Sequence, residues 1–315
     1  MTKQTFLDLG WQPIANGFIP KEGQEDEFSF NLQVAFDDET CLVTQQEYVA
    51  PEKMFHKDYA YRGSMSLTMV DHFQKTAKLL SESLPPSPRV LEIGSNDGVF
   101  LNNWDTDNTY AVEPCFNFAE ETNALGYRTY SRFWNNDLSK DILAEHGSMD
   151  LVFAANCMCH IPDLQETFQA VANVLEDEGL FVFEDPSLAR MINLNSYDQI
   201  YDEHAHIFSV IALKNELERV GLSLIRVDNL SVHGGSRIWA AKTTSEWAKY
   251  VHISVEENIT YEKLLGLDNI AVFDKFSSRV AQSKQDLLDV LYRCKENDQK
   301  VISYGATSKS TTVFN

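Results

Sequence analysis

Between residues 89 and 185 five short strand-like runs, the central ones nearly continuously apolar, alternate with helix-like segments. The runs are RVLEIG (89–94), TYAVE (109–113), YRTYS (127–131), DLVFAA (150–155) and GLFVFED (179–185). Runs this short that stay apolar at successive positions suit strands covered on both faces, the condition of a parallel sheet. Helical patterning falls between them, near 97–104, 116–125, 136–145 and 163–176. The alternation predicts an α/β fold, a doubly wound sheet whose ligands collect at the carboxyl ends of the strands.

The flanks differ in character. Residues 1–60 read as a small, mainly β unit, with FSFNLQVAF (28–36) partly alternating after turns at Gly17, Pro20 and Gly23. From Ser64 apolar residues recur at helical spacing until PPSP (85–88) stops them. Beyond the sheet a helix is expected over 210–220, capped by Ser209 and ended at Gly221, then a hairpin with HGG (233–235) at its tip. A helical region over about 245–297 is broken at LLGLDN. These signals divide the chain at 1–60, 61–243 and 244–315.

Charge and cysteine usage narrow the function. Forty-seven acids against 26 Lys plus Arg give a net charge of -21, which disfavours nucleic-acid and anionic-membrane partners. The first residues lack a signal-peptide core and no run approaches a membrane span, so the chain is read as cytoplasmic. Five irregularly spaced cysteines suit a reducing compartment. CMCH (157–160) has no second cluster at zinc spacing, and no metal is expected there.

The first strand of the series enters VLEIGSNDGVFL, which sets Glu92, Gly94, Asn96, Asp97 and Gly98 at a strand-to-helix turn. Glycine there permits a tight turn and close backbone approach to a ligand. The next strand ends in Glu113, placed to take the hydroxyls of a ribose. A dinucleotide fingerprint would keep acids away from the helix start, where a pyrophosphate sits. Asp97 suits instead a nucleoside ligand carrying positive charge, and S-adenosylmethionine (SAM) has an ammonium and a sulfonium.

E-x-G-x-x-x-G resembles the first motif of class I SAM-dependent methyltransferases. In order along the chain, LEIGSNDGVFL, AANCMCHIPDLQ, FVFEDPS, YDQIYDEHAHIFS, VHGGSR and SYGATSKSTTVFN resemble the motifs of the nucleotide-sugar C-methyltransferases of deoxysugar biosynthesis. FLDLGWQPIANGF and MFHKDYAYRGSMS resemble that family's opening. The resemblance implies a class I methyltransferase fold and methylation of C3 of a 4-keto deoxysugar on a nucleoside diphosphate, with S-adenosylhomocysteine as by-product.

As a helix, YDQIYDEHAHI would line up Tyr197, Tyr201 and His204 on one face and Gln199, Glu203 and His206 on a neighbouring one. From spacing alone this could equally be a solvated face. Methylating carbon requires removal of a proton alpha to a ketone, and histidine suits the base. The resemblance implies His204 as that base with Tyr201 and Glu203 beside it, and Tyr59, or Tyr61 in a shifted register, contacting the keto oxygen. Asn156 and His160 follow the fourth strand and are expected to line the donor and sugar pockets. Glu184 and Asp185 are expected as pocket lining too. His233 and Arg237 flank a Gly-Gly turn, and Arg237 and Lys309 are candidates for the diphosphate.

The family commonly carries an N-terminal zinc module with two Cys-x-x-C pairs, of which only Cys41 stands near the second here. No structural zinc is therefore expected. The family also continues past GATSKSTTVFN into a further α/β domain, whose first strand and glycine turn are expected at the end of this sequence; the chain is either naturally shortened there or a fragment, with a partner chain able to complete the wall. Competing expectations are O- or N-methylation of another small metabolite and a non-catalytic SAM-binding protein.

Overall fold

The computed structural model describes residues 3–19, 27–232, 234–305 and 307–315. A seven-stranded sheet forms its centre. In chain order the strands are β4 (Val90–Ile93), β5 (Thr109–Val112), β6 (Arg128–Tyr130), β7 (Met149–Ala155), β8 (Leu175–Pro186), β10 (Leu222–Asn229) and β11 (Gly235–Lys242). Their order across the sheet is β10-β11-β8-β7-β4-β5-β6. Neighbours from β8 to β6 pair in parallel, and β11 runs antiparallel between β8 and β10.

Strand periodicity explains the two layers of helices. Leu91, Ile93, Val152, Ala154, Phe181 and Phe183 point to one face, packed on α4 (Asn136–His146), α5 (Leu164–Val174) and α7 (Val210–Glu218). Val90, Leu151, Phe153, Leu180 and Val182, offset by one, meet Met69, Phe73 and Leu80 of α2 (Leu67–Ser81) on the other. Ser66, Asp163 and Ser209 cap α2, α5 and α7 by accepting from backbone amides one turn in. The doubly wound fold and its antiparallel hairpin are as expected, and the chain reverses direction across the sheet at β4, flanked by β5 and β7. α3 (Phe116–Ala124) follows β5.

A second sheet, in the order β1-β2-β3-β9, has β1 (Lys3–Pro13), β2 (Ser29–Asp37) and β3 (Val43–Gln45) from the N-terminus and β9 (His206–Ile207) from 160 residues further on. Its apolar face packs on α6 (Leu188–Leu194) and α9 (Ile270–Glu296), where Phe273 lies 4.9 Å from Phe6 and 4.8 Å from Phe36 by ring centroid. α8 (Ser254–Leu265) and α9 are separated at Gly266, which sits at φ +83°. None of the helices among the described residues is long and apolar enough to cross a membrane.

Three segments depart from the expectation. Residues 97–104 form turns and a single 3-10 turn, Leu101–Asn103, because Asn96 and Gly98 take left-handed φ of +48° and +81° and Phe100 drops into the core against Phe153 at 3.8 Å. The stretch YDQIYDEHAHI is not helical: a 3-10 turn, Tyr197–Gln199, leads through bends into β9. Its carbonyls are claimed by β3 instead of by helical amides. The Gln45 side-chain amide donates to Tyr201 O at 2.7 Å and His204 O at 2.8 Å, and Gln45 N donates to Ala205 O at 2.9 Å. At the C-terminus residues 301–305 form no strand, and α10 (Ser308–Phe314) follows, tied to this segment by Thr312 Oγ1 donating to Ile200 O at 2.6 Å.

Gln45 is 2% exposed. Replacing it with leucine roughly keeps the volume and removes both bonds; Tyr201 O keeps the amide of His204 at 3.0 Å while His204 O loses its donor, so Gln45→Leu is expected to cost on the order of 1–3 kcal/mol in a denaturant melt. A melt coincident with wild type would refute the role given to this side chain.

Candidate active site

A cavity of about 650 Å³ opens at the carboxyl ends of β4, β5 and β7. Its floor is the glycine loop. Gly94 takes φ +75°, and a Cβ there would stand 2.7 Å from Cys157 Sγ, so only glycine lets the β4 and β7 loops approach this closely. Gly98 does not line the cavity; a Cβ on it would meet Thr122 at 3.0 Å, and its task is the turn. Asn96 donates from its side chain to Tyr61 O at 2.9 Å and accepts from Gly63 N at 3.0 Å, while Asp97 accepts from Ser64 Oγ at 2.6 Å. Segment 61–64 is thereby laced onto the loop, which brings Tyr61 to the wall.

Glu113 accepts from Asn96 N at 2.7 Å and Cys115 N at 2.8 Å, one bond per oxygen. Those backbone bonds, with a further one from the Cys115 thiol, fix the carboxyl at the end of β5 and leave it acceptor capacity toward the cavity. Glu92, 3% exposed, is pushed well up by burial and lies under the loop. The lining includes Glu92, Asp97, Glu113, Glu166 and Glu203, whereas Lys309 is the one Lys or Arg among the described lining residues. A ligand with fixed positive charge fits such a wall, and this residue set matches SAM.

The opposite wall is built from the segment held by Gln45. His204 Nδ1 donates to Gln199 O at 2.6 Å, which sets the tautomer with Nε2 as the acceptor nitrogen. Its ring lies 4.3 Å from that of Tyr201 and 5.3 Å from that of His160, which in turn stacks on Phe55 at 5.5 Å. Burial lowers His160 to about 4, so it is neutral at physiological pH. Tyr59 donates its hydroxyl to Glu203 Oε2 at 3.0 Å, and Asn16 donates to Glu203 Oε1 at 2.5 Å. Burial raises Glu203 to about 7 against those two bonds, and raises Tyr59 and Tyr201 well above the ordinary tyrosine value. Both tyrosines remain hydroxyl donors.

The structure therefore brings Tyr59, Tyr61, Glu92, Gly94, Asn96, Asp97, Glu113, Asn156, His160, Tyr201, Glu203, His204 and Lys309 to one cavity. Glu184 and Arg237 are elsewhere. Arg237 donates to Glu184 Oε1 at 2.7 Å and to Thr76 at 2.6 Å, and His72 holds the other Glu184 oxygen at 2.5 Å, so the expected diphosphate ligand is a buried structural cation. Asp185 too lies off the cavity, beside Cys159. His233 lies outside the described residues. Asn16, Phe55, Trp134 and Ser308 join the lining unforeseen. No local signal marked them, because each arrives from an element remote in sequence.

A carboxyl raised on folding favours the folded state while protonated; its contribution is complete below the ordinary carboxylate range and is lost as pH rises through about 7. Glu203→Gln is therefore expected to gain on wild type by up to about 3 kcal/mol between about pH 4.5 and pH 8. Parallel stability-versus-pH curves for the two proteins would contradict the assignment.

Comparison with known proteins matches three family models along the chain. A methyltransferase domain covers residues 66–227, just over half of the chain, and a C-methyltransferase C-terminal domain covers 231–315. A zinc binding domain model matches 1–55, where the sequence has Cys41 as its sole cysteine and no histidine. The C-methyltransferase NovU of Streptomyces niveus is 27% identical over 317 residues, 98% of this chain and 74% of that protein. A SAM-dependent methyltransferase from Clostridium acetobutylicum is similar at 15% identity and TM-score 0.42, over 55% of this chain and 90% of that one. Magnesium protoporphyrin IX methyltransferase from Synechocystis, solved with bound SAM, is similar at 11% identity and TM-score 0.38, over 56% and 78%.

Proposed function

The chain belongs to the SAM-dependent methyltransferases, of the C-methyltransferase kind, and on that premise we propose that it methylates C3 of a 4-keto deoxysugar carried on a nucleoside diphosphate. Residues 61–243 carry the chemistry in this reading, and 1–60 and 244–315 close the acceptor side. The observation that carries it is His204: an imidazole anchored through Nδ1 to Gln199 O, in the same cavity as the Gly94 loop and Glu113.

Bound SAM supplies an electrophilic methyl on a sulfonium. Glu113 holds its ribose and the acidic loop its positive charge. His204 Nε2 takes the proton from the carbon alpha to the ketone. A hydroxyl is needed on the oxygen where charge then develops, and Tyr59 and Tyr201 both stand ready. Tyr59 now spends its proton on Glu203. When Glu203 is itself protonated it donates to the Tyr59 oxygen, and the Tyr59 O–H turns to the keto oxygen. Lys309, whose value burial lowers against the pull of Asp198, faces the diphosphate.

The sparse positive charge of the lining favours, as the competing reading, an O- or N-acceptor without phosphates. Exchange separates the two. With a nucleoside-diphosphate 4-keto-6-deoxysugar in deuterated water, wild type is expected to wash deuterium into C3 and, with SAM, to methylate it; no exchange and no product would overturn the sugar reading. His204→Ala is expected to lose at least about 10²-fold in turnover, while its calorimetric affinity for SAM stays within about twofold of wild type. Glu113→Ala is expected to show the reverse priority, with SAM affinity falling at least about tenfold through lost ribose hydrogen bonds.

A further inference from the structure

Beneath the two stacked histidines lies a third metal-seeking group. Cys159, His160 and His204 place one ligand atom each within 4.8 Å of one another. We propose that these three side chains form a site for a thiophilic divalent cation such as Zn²⁺, and that its occupation blocks the methyl transfer by taking the nitrogen that accepts the proton. The inhibitory half rests on the reading of His204 as the base; the binding half does not.

Three observations support the site. Two imidazoles on one tetrahedral ion, with bonds of about 2.0–2.1 Å, put their ring centroids roughly 5 Å apart, and those of His160 and His204 are 5.3 Å apart. His160 Nε2 is buried without a hydrogen-bond partner, so coordination costs it none. The carbonyl of Gln199 already orients His204 through Nδ1, the arrangement that outer-shell acceptors impose on metal-bound histidine. Tetrahedral edges of roughly 3.3–3.7 Å follow from Zn–N and Zn–S bonds, so closing the triangle takes a shift of about 1 Å or less per side chain.

Binding releases the Cys159 thiol proton to solvent and adds a dication, a net gain of one positive charge beside the carboxyls of Asp185 and Glu203; burial and those carboxyls hold the thiol well above its ordinary value, so the ion itself must displace the proton. His160 and His204 both line the cavity, so water or the acceptor can reach an ion held between them. Cys159 itself does not line the cavity. It can therefore be changed without touching the surface that binds substrate.

The test uses the full chain freed of metal with a chelator and titrated with Zn²⁺ and, for its spectrum, Co²⁺. Wild type is expected to bind one ion with a thiolate-to-cobalt charge-transfer band, and stoichiometric Zn²⁺ to suppress methyl transfer. Cys159→Ala and the better-packed Cys159→Ser are expected to keep basal transfer, lose the band and need at least about tenfold more Zn²⁺ for the same inhibition. Cys41→Ser is expected to behave as wild type. A band that persists in both Cys159 variants, or that disappears with Cys41, would overturn the site. A band lost with Cys159 but no inhibition in wild type would overturn the inhibitory half and count against His204 as the base.

Discussion

The hydrogen bonds that Gln45 donates from its side chain and its amide to the carbonyls of segment 201–205 hold the rest of the site in place. They are unusual in kind: a buried side-chain amide does for an irregular loop what a strand does for its neighbour. Because Val43 pairs with Ile207 and Thr44 with His206, the segment's end is fixed in register with the N-terminal sheet. Everything upstream then follows. Glu203 is presented to Asn16 and Tyr59, His204 turns back on Gln199 O, and Ile200 O is left for Thr312 in the C-terminal helix. A strand of two residues thus joins units that lie far apart along the chain.

The walls of the cavity and the layer behind them keep ionisable groups out of water and sort them by type. Burial raises Glu203 and Asp185 to about 7 and Asp202 to about 6, while it lowers His160 and His206 to about 4. Acids that resist charging and histidines that resist protonation are the two faces of one desolvation cost. The outcome is a region whose groups resist carrying charge, set opposite a glycine loop lined by acids. The structural cation Arg237 shows the other solution to burial, since it pairs with Glu184 and is hydrogen-bonded on both sides.

Legibility of the site in the sequence followed the range of the interactions. The glycine loop and Glu113 are local: strand, turn and strand end lie within 25 residues, and their chemistry could be read from spacing. Arg237 and Glu184 misled because each sits near a turn that opens on solvent in sequence, yet they lie opposite each other on β11 and β8 and neutralise each other. The stretch at 197–207 carried helical spacing and is not helical. Its amides and carbonyls found partners in β3, and the tertiary hydrogen bonds outweighed a local propensity worth only tenths of a kcal/mol per residue.

By itself the sequence determined the doubly wound sheet, through the short apolar runs whose alternate positions feed two helical layers, and it determined the glycine-loop end of the cavity, because a glycine loop and an acid at a strand end are made by neighbouring residues. Only the tertiary structure decided the opposite end. There Asn16, Gln45, Tyr59, His160, His204 and Lys309 come from six separate stretches of chain. No periodicity links such residues; what unites them is the pairing of β3 with β9 and the burial that follows, which exist only once the chain has folded.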